Sequence, residues 1–248
     1  MKLDIQSLQR NFIAGEWIGD SCNKFIDVIN PSTLELVGKA PDCDLSEAAQ
    51  AADSAVTAFY DWRKLSALDR EKVLLKAAEL MEARREELAA IITMEQGKPL
   101  DESRGEVDYG VSFVRWYASE GRRLYGEIIP SSDVSKKQFV FREAVGPALL
   151  VSAGNDPFAM ITRKGAPALA AGCTLVIKPH RETPFSALAV AKIFEEAGIV
   201  KGAFNVISTT NSTGVVEHLL RHSGIRHLTF TGSSEVGKIL GGIAGSMI

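Results

Sequence analysis

The sequence predicts an α/β fold, a doubly wound parallel sheet preceded by a hairpin and a set of helices. Three observations lead there. Short apolar runs at 148–151 and 175–177 enclose one helical stretch stopped by Gly172, and a strand–helix–strand unit of about 30 residues demands parallel strands joined by a right-handed crossover. From Val145 onward the alternation of strand and helix repeats, as it does in a doubly wound sheet. Before Val145 the dominant period is that of amphipathic helices.

Taken in order, residues 12–18 and 25–30 are β-prone runs around Gly19-Asp20-Ser21, which predicts a hairpin between them. Asn30-Pro31-Ser32-Thr33 turns the chain into a third run, 34–39. Asp44 or Ser46 can cap a helix that carries Ala48, Ala51, Ala52, Ala55 and Phe59 on one face. A second helix is expected from near Ser66 to about Glu95, with Gly97 where a C-cap belongs. A third spans roughly 100–124. Residues 126–130 and 138–143 read as a strand pair apart from the main sheet, an interdomain bridge or a partner-binding edge. Strands at 147–152, 174–178, 203–207 and 226–230 then alternate with helices at 157–171, 184–197, 213–221 and 233–245. The expected organisation is residues 1–124 packed on a sheet domain of residues 144–248, with 125–143 as bridging or oligomerisation strands.

A chain of 248 residues, 46% hydrophobic and 24% charged, has ample material for a packed core. A net charge of -3 without a basic block argues against nucleic acid. No apolar stretch reaches signal-peptide or membrane-span character, so a cytoplasmic protein with no membrane partner is expected. Cys22, Cys43 and Cys173 are odd in number and unpatterned, which fits neither a disulfide framework nor a metal site. His218 and His222 have zinc-compatible spacing but no evident third ligand, and a surface helix outweighs a metal site. Ser152 has no visible His and acid partners for a hydrolase triad.

Ligands of parallel sheets sit at the carboxyl ends of the strands, and Asn155, Lys178 and Thr231-Gly232-Ser233-Ser234 all fall there. Each alone has a plain explanation: an Asx-turn, a solvated Lys-Pro turn, a tight βα turn. Together at one sheet edge they suit a nucleotide, with a cation near ribose and helix-terminal amides near pyrophosphate.

Read along its whole length, the sequence resembles the amino-terminal half of the aldehyde dehydrogenase superfamily, nearest to succinate-semialdehyde dehydrogenase-like members. The segments that carry the resemblance include Gly15-Glu16-Trp17, Glu95-Gln96-Gly97-Lys98-Pro99-Leu100, Ala166-Pro167-Ala168-Leu169-Ala170-Ala171-Gly172-Cys173-Thr174, Ile177-Lys178-Pro179, Gly202-Ala203-Phe204-Asn205-Val206 and Phe230-Thr231-Gly232-Ser233-Ser234-Glu235-Val236-Gly237. The resemblance implies a Rossmann-like cofactor domain, a homo-oligomer, and NAD(P)-dependent oxidation of an aldehyde to an acid, with a cysteine nucleophile and a glutamate that activates water. It implies that Asn155 is the oxyanion donor, a kind of group worth about 3 kcal/mol of barrier. It also implies that Lys178 bonds the adenosine ribose, that Gly232 and Ser233 form the pyrophosphate turn, that Gly237 is a close-packed helix position, and that Lys164 supports Asn155.

The departures matter as much. The family's usual tryptophan and phenylalanine around the asparagine are here Gly154 and Asp156, which puts the substrate in question. Arg181 stands where many NAD-preferring members have glutamate, so it can pair with a 2′-phosphate, and NADP is favoured over NAD; the competing reading turns Arg181 to solvent. None of Cys22, Cys43 or Cys173 stands in the nucleophile's motif, and the family's cysteine and glutamate would lie beyond Ile248. The chain is therefore expected to be inactive by itself and prone to associate through uncovered apolar surface. The alternatives are a stand-alone, non-catalytic nucleotide-binding module or partner subunit and, more remotely, an unrelated α/β protein.

Overall fold

The computed structural model describes residues 3–19 and 24–247. Its first hairpin is tighter than the sequence predicts. β1 (Asn11–Ile13) and β2 (Glu16–Ile18) are both cut from the single run at 12–18 and pair antiparallel, with Phe12 opposite Trp17. The two-residue turn between them has positive φ at Ala14 and Gly15, 58° and 79°, the twist that joins adjacent strands without splaying them. β3 (Phe25–Ile29), the expected partner, pairs instead with β4 (Leu36–Pro41) across the Asn30-Pro31 turn. Two residues of the expected turn, Asp20 and Ser21, lie outside the described residues, as does Cys22.

α1 (Leu45–Trp62) begins at Asp44 rather than Ser46, through a capping box in which Asp44 accepts the N–H groups of Ser46 and Glu47 and Glu47 reaches back. The single helix expected from Ser66 to Glu95 is two, α2 (Ala67–Ala83) and α3 (Arg85–Gln96). Arg84 leaves the helical region at the break, φ -112° and ψ 22°, and its guanidinium holds Glu196 through two hydrogen bonds, 3.1 and 2.5 Å. Apolar periodicity runs through the break unaltered, so it carried no warning. Gly97 ends α3 with φ 88°, the left-handed C-cap its position predicts. α4 (Leu100–Glu120) follows, and β5 (Glu127–Ile129) and β6 (Gln138–Val140) form a separate two-stranded sheet.

The remaining elements fall within two residues of their predicted bounds: β7 (Ala148–Val151), α5 (Ala159–Ala170), β8 (Leu175–Lys178), α6 (Pro184–Glu196), β9 (Phe204–Val206), α7 (Ser212–Arg221), β10 (His227–Phe230) and α8 (Ser234–Gly245). The main sheet runs β10-β7-β8-β9-β1-β2, parallel through β9 and antiparallel beyond it. The amino-terminal hairpin thus extends the sheet. Winding proceeds outward from β7 through β8 to β9, then jumps back to place β10 on the other side of β7. A crevice opens at such a reversal because neighbouring crossovers depart to opposite faces.

Both faces are buried, as parallel strands require. Leu150, Leu175 and Ile177 point into one core with Trp62, Leu74, Val107, Phe158 and Phe185. Leu149, Val151 and Val176, one residue out of phase, point into a second with Ala51, Ala55, Val215 and Leu219. Among the described residues no helix is long and apolar enough to cross a membrane. Trp62 anchors the first core: it is fully buried, and its indole N–H donates to the Leu169 carbonyl at 3.0 Å, tying α1 to the end of α5. Trp62→Phe removes that donor and leaves a void, so chemical denaturation should show a loss of roughly 1–3 kcal/mol. A change within ~0.5 kcal/mol, the range of a neutral surface substitution, would contradict this account of the core.

Candidate functional site

The register of the parallel strands builds the site. Phe230 pairs with Val151, and Val151 with Lys178, so β10, β7 and β8 finish in one row. The ladder continues one step further: the Ser152 N–H reaches the Lys178 carbonyl at 3.3 Å, and the Thr231 N–H the Val151 carbonyl at 3.0 Å. Beyond the row the three loops diverge around a cleft of about 430 Å³, walled by Ser152 and Gly154 after β7, Lys178 and His180 at the end of β8, and Phe230, Gly232 and Ser233 at the end of β10. Thr213 and Val216 of α7 close its side.

Several features of that cleft call for a polar, anionic occupant. Lys178 is 5% exposed, and its ammonium has no hydrogen-bond or ion-pair partner among the described residues. Burial, and then the Arg181 guanidinium, push it down to about 8. The buried Ser152 hydroxyl also lacks a partner. Gly232 folds tightly over Phe230: a Cβ there would lie 2.4 Å from the ring, so the turn bares its backbone. Ser233 caps α8, accepting the Val236 N–H at 3.3 Å, and the remaining amides of that first turn are available to a negative group. Gly237 stands outside the cleft, where a Cβ would meet Phe230 at 3.4 Å, an ordinary contact. Arg181 is exposed and does not line the cleft; its Nη2 lies 3.5 Å from Glu182.

Asn155 is on the same rim but borders an adjoining cleft of about 590 Å³, with Gly154 and His180 as the shared wall. Its amide nitrogen donates to Asp156 at 2.8 Å. Asp156 is in turn 2.9 Å from the Lys98 ammonium, which also donates to Glu106 at 2.6 Å. The other Glu106 oxygen accepts the Phe158 and Ala159 N–H groups, at 2.8 and 3.0 Å, at the start of α5. Burial lowers the Lys98 pKa, but the two carboxylates outweigh it and raise the group overall. A parallel clamp holds the next loop: Glu95 accepts the Phe185 and Ser186 N–H groups, at 2.7 and 2.8 Å, at the start of α6. Burial pushes that carboxyl up to about 8 although the amides pull the other way.

Sequence reasoning therefore brought Asn155, Lys178, Gly232 and Ser233 to one rim. It passed over Lys98, which lies in the turn between α3 and α4, and Glu106, whose only signal is a charged residue on the apolar side of a helical pattern. Ser152 was weighed only as a nucleophile. Lys164 turns away, donating to Thr229 at 3.0 Å. Cys173 is buried at the opposite, amino end of β8. His222 bonds Asp53 at 3.0 Å, and no cluster of three metal-ligating side chains occurs among the described residues.

The cost of burying Lys178 is testable. Its folded pKa of about 8 lies below the ordinary 10.5, so its charge opposes folding at pH 7 and is relieved as pH rises between those values. Lys178→Met should gain roughly 1–3 kcal/mol at pH 7, with the advantage shrinking by pH 10. Denaturant melts of both proteins at the two pH values measure it, and an equal or less stable variant at pH 7 would refute the assignment.

The family model "Aldehyde dehydrogenase family" matches residues 17–248. The succinate-semialdehyde dehydrogenase (NADP(+)) GabD of Escherichia coli (strain K12) is 42% identical over 97% of this chain and 50% of its own length. The non-phosphorylating aspartate-semialdehyde dehydrogenase of Halomonas elongata is 44% identical over 94% of this chain and 47% of its own length. Among solved structures, an E. coli NADP-dependent enzyme superposes with a TM-score of 0.95 at 40% identity, covering 99% of this chain and 51% of that one. The betaine aldehyde dehydrogenase of Staphylococcus aureus in complex with NAD+ superposes at 0.92 with 30% identity, covering 97% and 48%. The chain thus spans about half the length of the relatives it matches. From near its start to its end, through every loop of the rim, this chain belongs to the aldehyde dehydrogenase family.

Proposed function

We propose that the chain binds a nicotinamide dinucleotide in the 430 Å³ cleft and serves the oxidation of an aldehyde, of the semialdehyde class, to a carboxylic acid. The observation that carries this reading is the buried, unpartnered Lys178 ammonium abreast of the α8 terminus. Lys178 would hold ribose hydroxyls, and Gly232 and Ser233 the pyrophosphate. The unpartnered Ser152 hydroxyl and the bared Gly232 backbone fit such a group. A nicotinamide dinucleotide held there would supply the hydride acceptor for such an oxidation. Asn155 would donate its amide to the carbonyl oxygen as negative charge develops on it. The substrate class rests on relatives named for succinate, aspartate and glutarate semialdehydes.

Arg181 supports NADP over NAD, since an exposed guanidinium beside the ribose end of β8 can swing to a 2′-phosphate. Aldehyde oxidation needs a thiolate near Asn155. Cys173 lies at the far end of β8, and the Cys43 thiol is buried against the Asp44 carbonyl. Neither cysteine among the described residues stands near Asn155, so the chain is expected to bind cofactor without oxidising aldehyde. Self-association is assigned to the β5–β6 hairpin, which exposes Ile128, Phe139 and Phe141 at 74%, 58% and 79%.

Calorimetric titration of the purified chain should show saturable NADP binding, weaker NAD binding and at least ~10-fold loss in Lys178→Met, a factor worth about 1.4 kcal/mol. Absence of saturation with either nucleotide would defeat the function; tighter NAD would defeat only the cofactor choice. Light scattering should find an oligomer that Ile128→Lys with Phe139→Lys dissociates, whereas a wild-type monomer removes the hairpin from this role.

A further inference from the structure

His180 follows Lys178 by two positions and lines both the cofactor cleft and the adjoining cleft, so its ring is part of the partition between them. The imidazole lies directly against Gly154: a Cβ on that residue would stand 2.9 Å from Nδ1 and 3.0 Å from Cγ. No side chain at 154 is compatible with this placement, so Gly154 gives the ring its seat. The ring that walls the cleft comes here from β8, and it is titratable.

Its surroundings decide what it can sense. Lys178 and Arg181 flank it on its own segment, with Glu182, whose N–H donates to Nδ1 at 3.4 Å. Asp27 of β3 and Glu95 of α3 face it across the adjoining cleft, and Asn155 is the neutral neighbour from the β7 loop. Burial, with Lys178 and Arg181, holds the imidazole below its usual range, and Glu182 opposes them. A ligand that brings negative charge to the end of β8 reverses that balance. The ribose of a dinucleotide lies at the end of the second strand of such a unit, which is β8, and the 2′-phosphate is the group that distinguishes the two cofactors there.

We propose that His180 is a specificity-determining residue: it completes, with Lys178 and Arg181, a three-cation subsite for the ribose 2′-phosphate, gaining its proton as that phosphate binds. The inference rests on the cleft being the nicotinamide dinucleotide site. By linkage, NADP binding takes up more proton near neutral pH than NAD binding does, so preference for NADP grows as pH falls.

Dissociation constants of NADP and NAD at pH 8.5 and 6.5, for the wild-type chain, His180→Ala and His180→Asn, test it. The wild-type ratio of NAD to NADP constants should rise about 3- to 10-fold at the lower pH, a raised imidazole pKa of up to about one unit per tenfold. In both variants the ratio should change clearly less with pH than in the wild-type chain, the remainder being the titration of Lys178, while retained NAD binding shows that they are folded. Arg181→Ala should lower the ratio at both pH values and keep its slope. Calorimetry in two buffers of different ionisation enthalpy should detect greater proton uptake with NADP than with NAD. A pH-independent wild-type ratio, or an undiminished slope in both His180 variants, overturns the role of His180 while leaving cofactor binding intact. Failure of both nucleotides to bind at either pH overturns the proposed function instead.

Discussion

Everything at the rim depends on three parallel strands ending level. Because Phe230, Val151 and Lys178 share one row, the loops that follow leave from the same height and must separate around a common space. A slip of one residue in β8 would reverse its faces, sending Lys178 into a neighbouring layer and Ile177 toward the opposite core. Burial on both faces makes such a slip costly, since Leu175 and Ile177 belong to one core and Val176 to the other. The second hydrophobic layer reaches the cleft through Val151, Val216 and Leu240, so packing fixes one wall of the polar site directly.

The loops are held by buried carboxylates from the helices on one side of the sheet. Glu106 takes two amides at the start of α5 and Glu95 two at the start of α6. Each supplies acceptor oxygens to helix-start donors that would otherwise be orphaned. Lys98, between them in sequence, neutralises Glu106 and reaches Asp156, which holds the Asn155 amide. The segment Glu95-Gln96-Gly97-Lys98 is therefore a splint that joins the helical region to the rim, and Gly97 gives it the turn it needs. Asp156 is tolerable beside Asn155 because Lys98 compensates its charge.

The cleft itself departs from ordinary economy. Among the described residues Lys178 is buried without a partner, and Ser152 keeps an unsatisfied hydroxyl. Cores avoid such groups, and their concentration at a winding reversal is the stored strain expected of a binding site. Basic groups gather on the β8 side and free amides on the β10 side, which gives the cleft a uniform electrostatic sense suited to a dinucleotide.

The alternation of apolar runs and helical periods was enough to place the four βα units to within two residues, because each strand is buried on both faces and each helix is amphipathic. Strand-end positions of Asn155, Lys178 and Gly232 followed from the same pattern. Sequence did not reveal the break at Arg84 or the pairing of β3 with β4, since one is set by a partner 112 residues away and the other by turn geometry rather than periodicity. It was silent on the Lys98–Glu106–Asp156 contacts and on the closeness of His180 to Gly154. Charge–charge contacts between distant segments leave no period in a sequence. They exist only once packing has brought the segments together, and for this chain that packing turned a row of strand ends into a site.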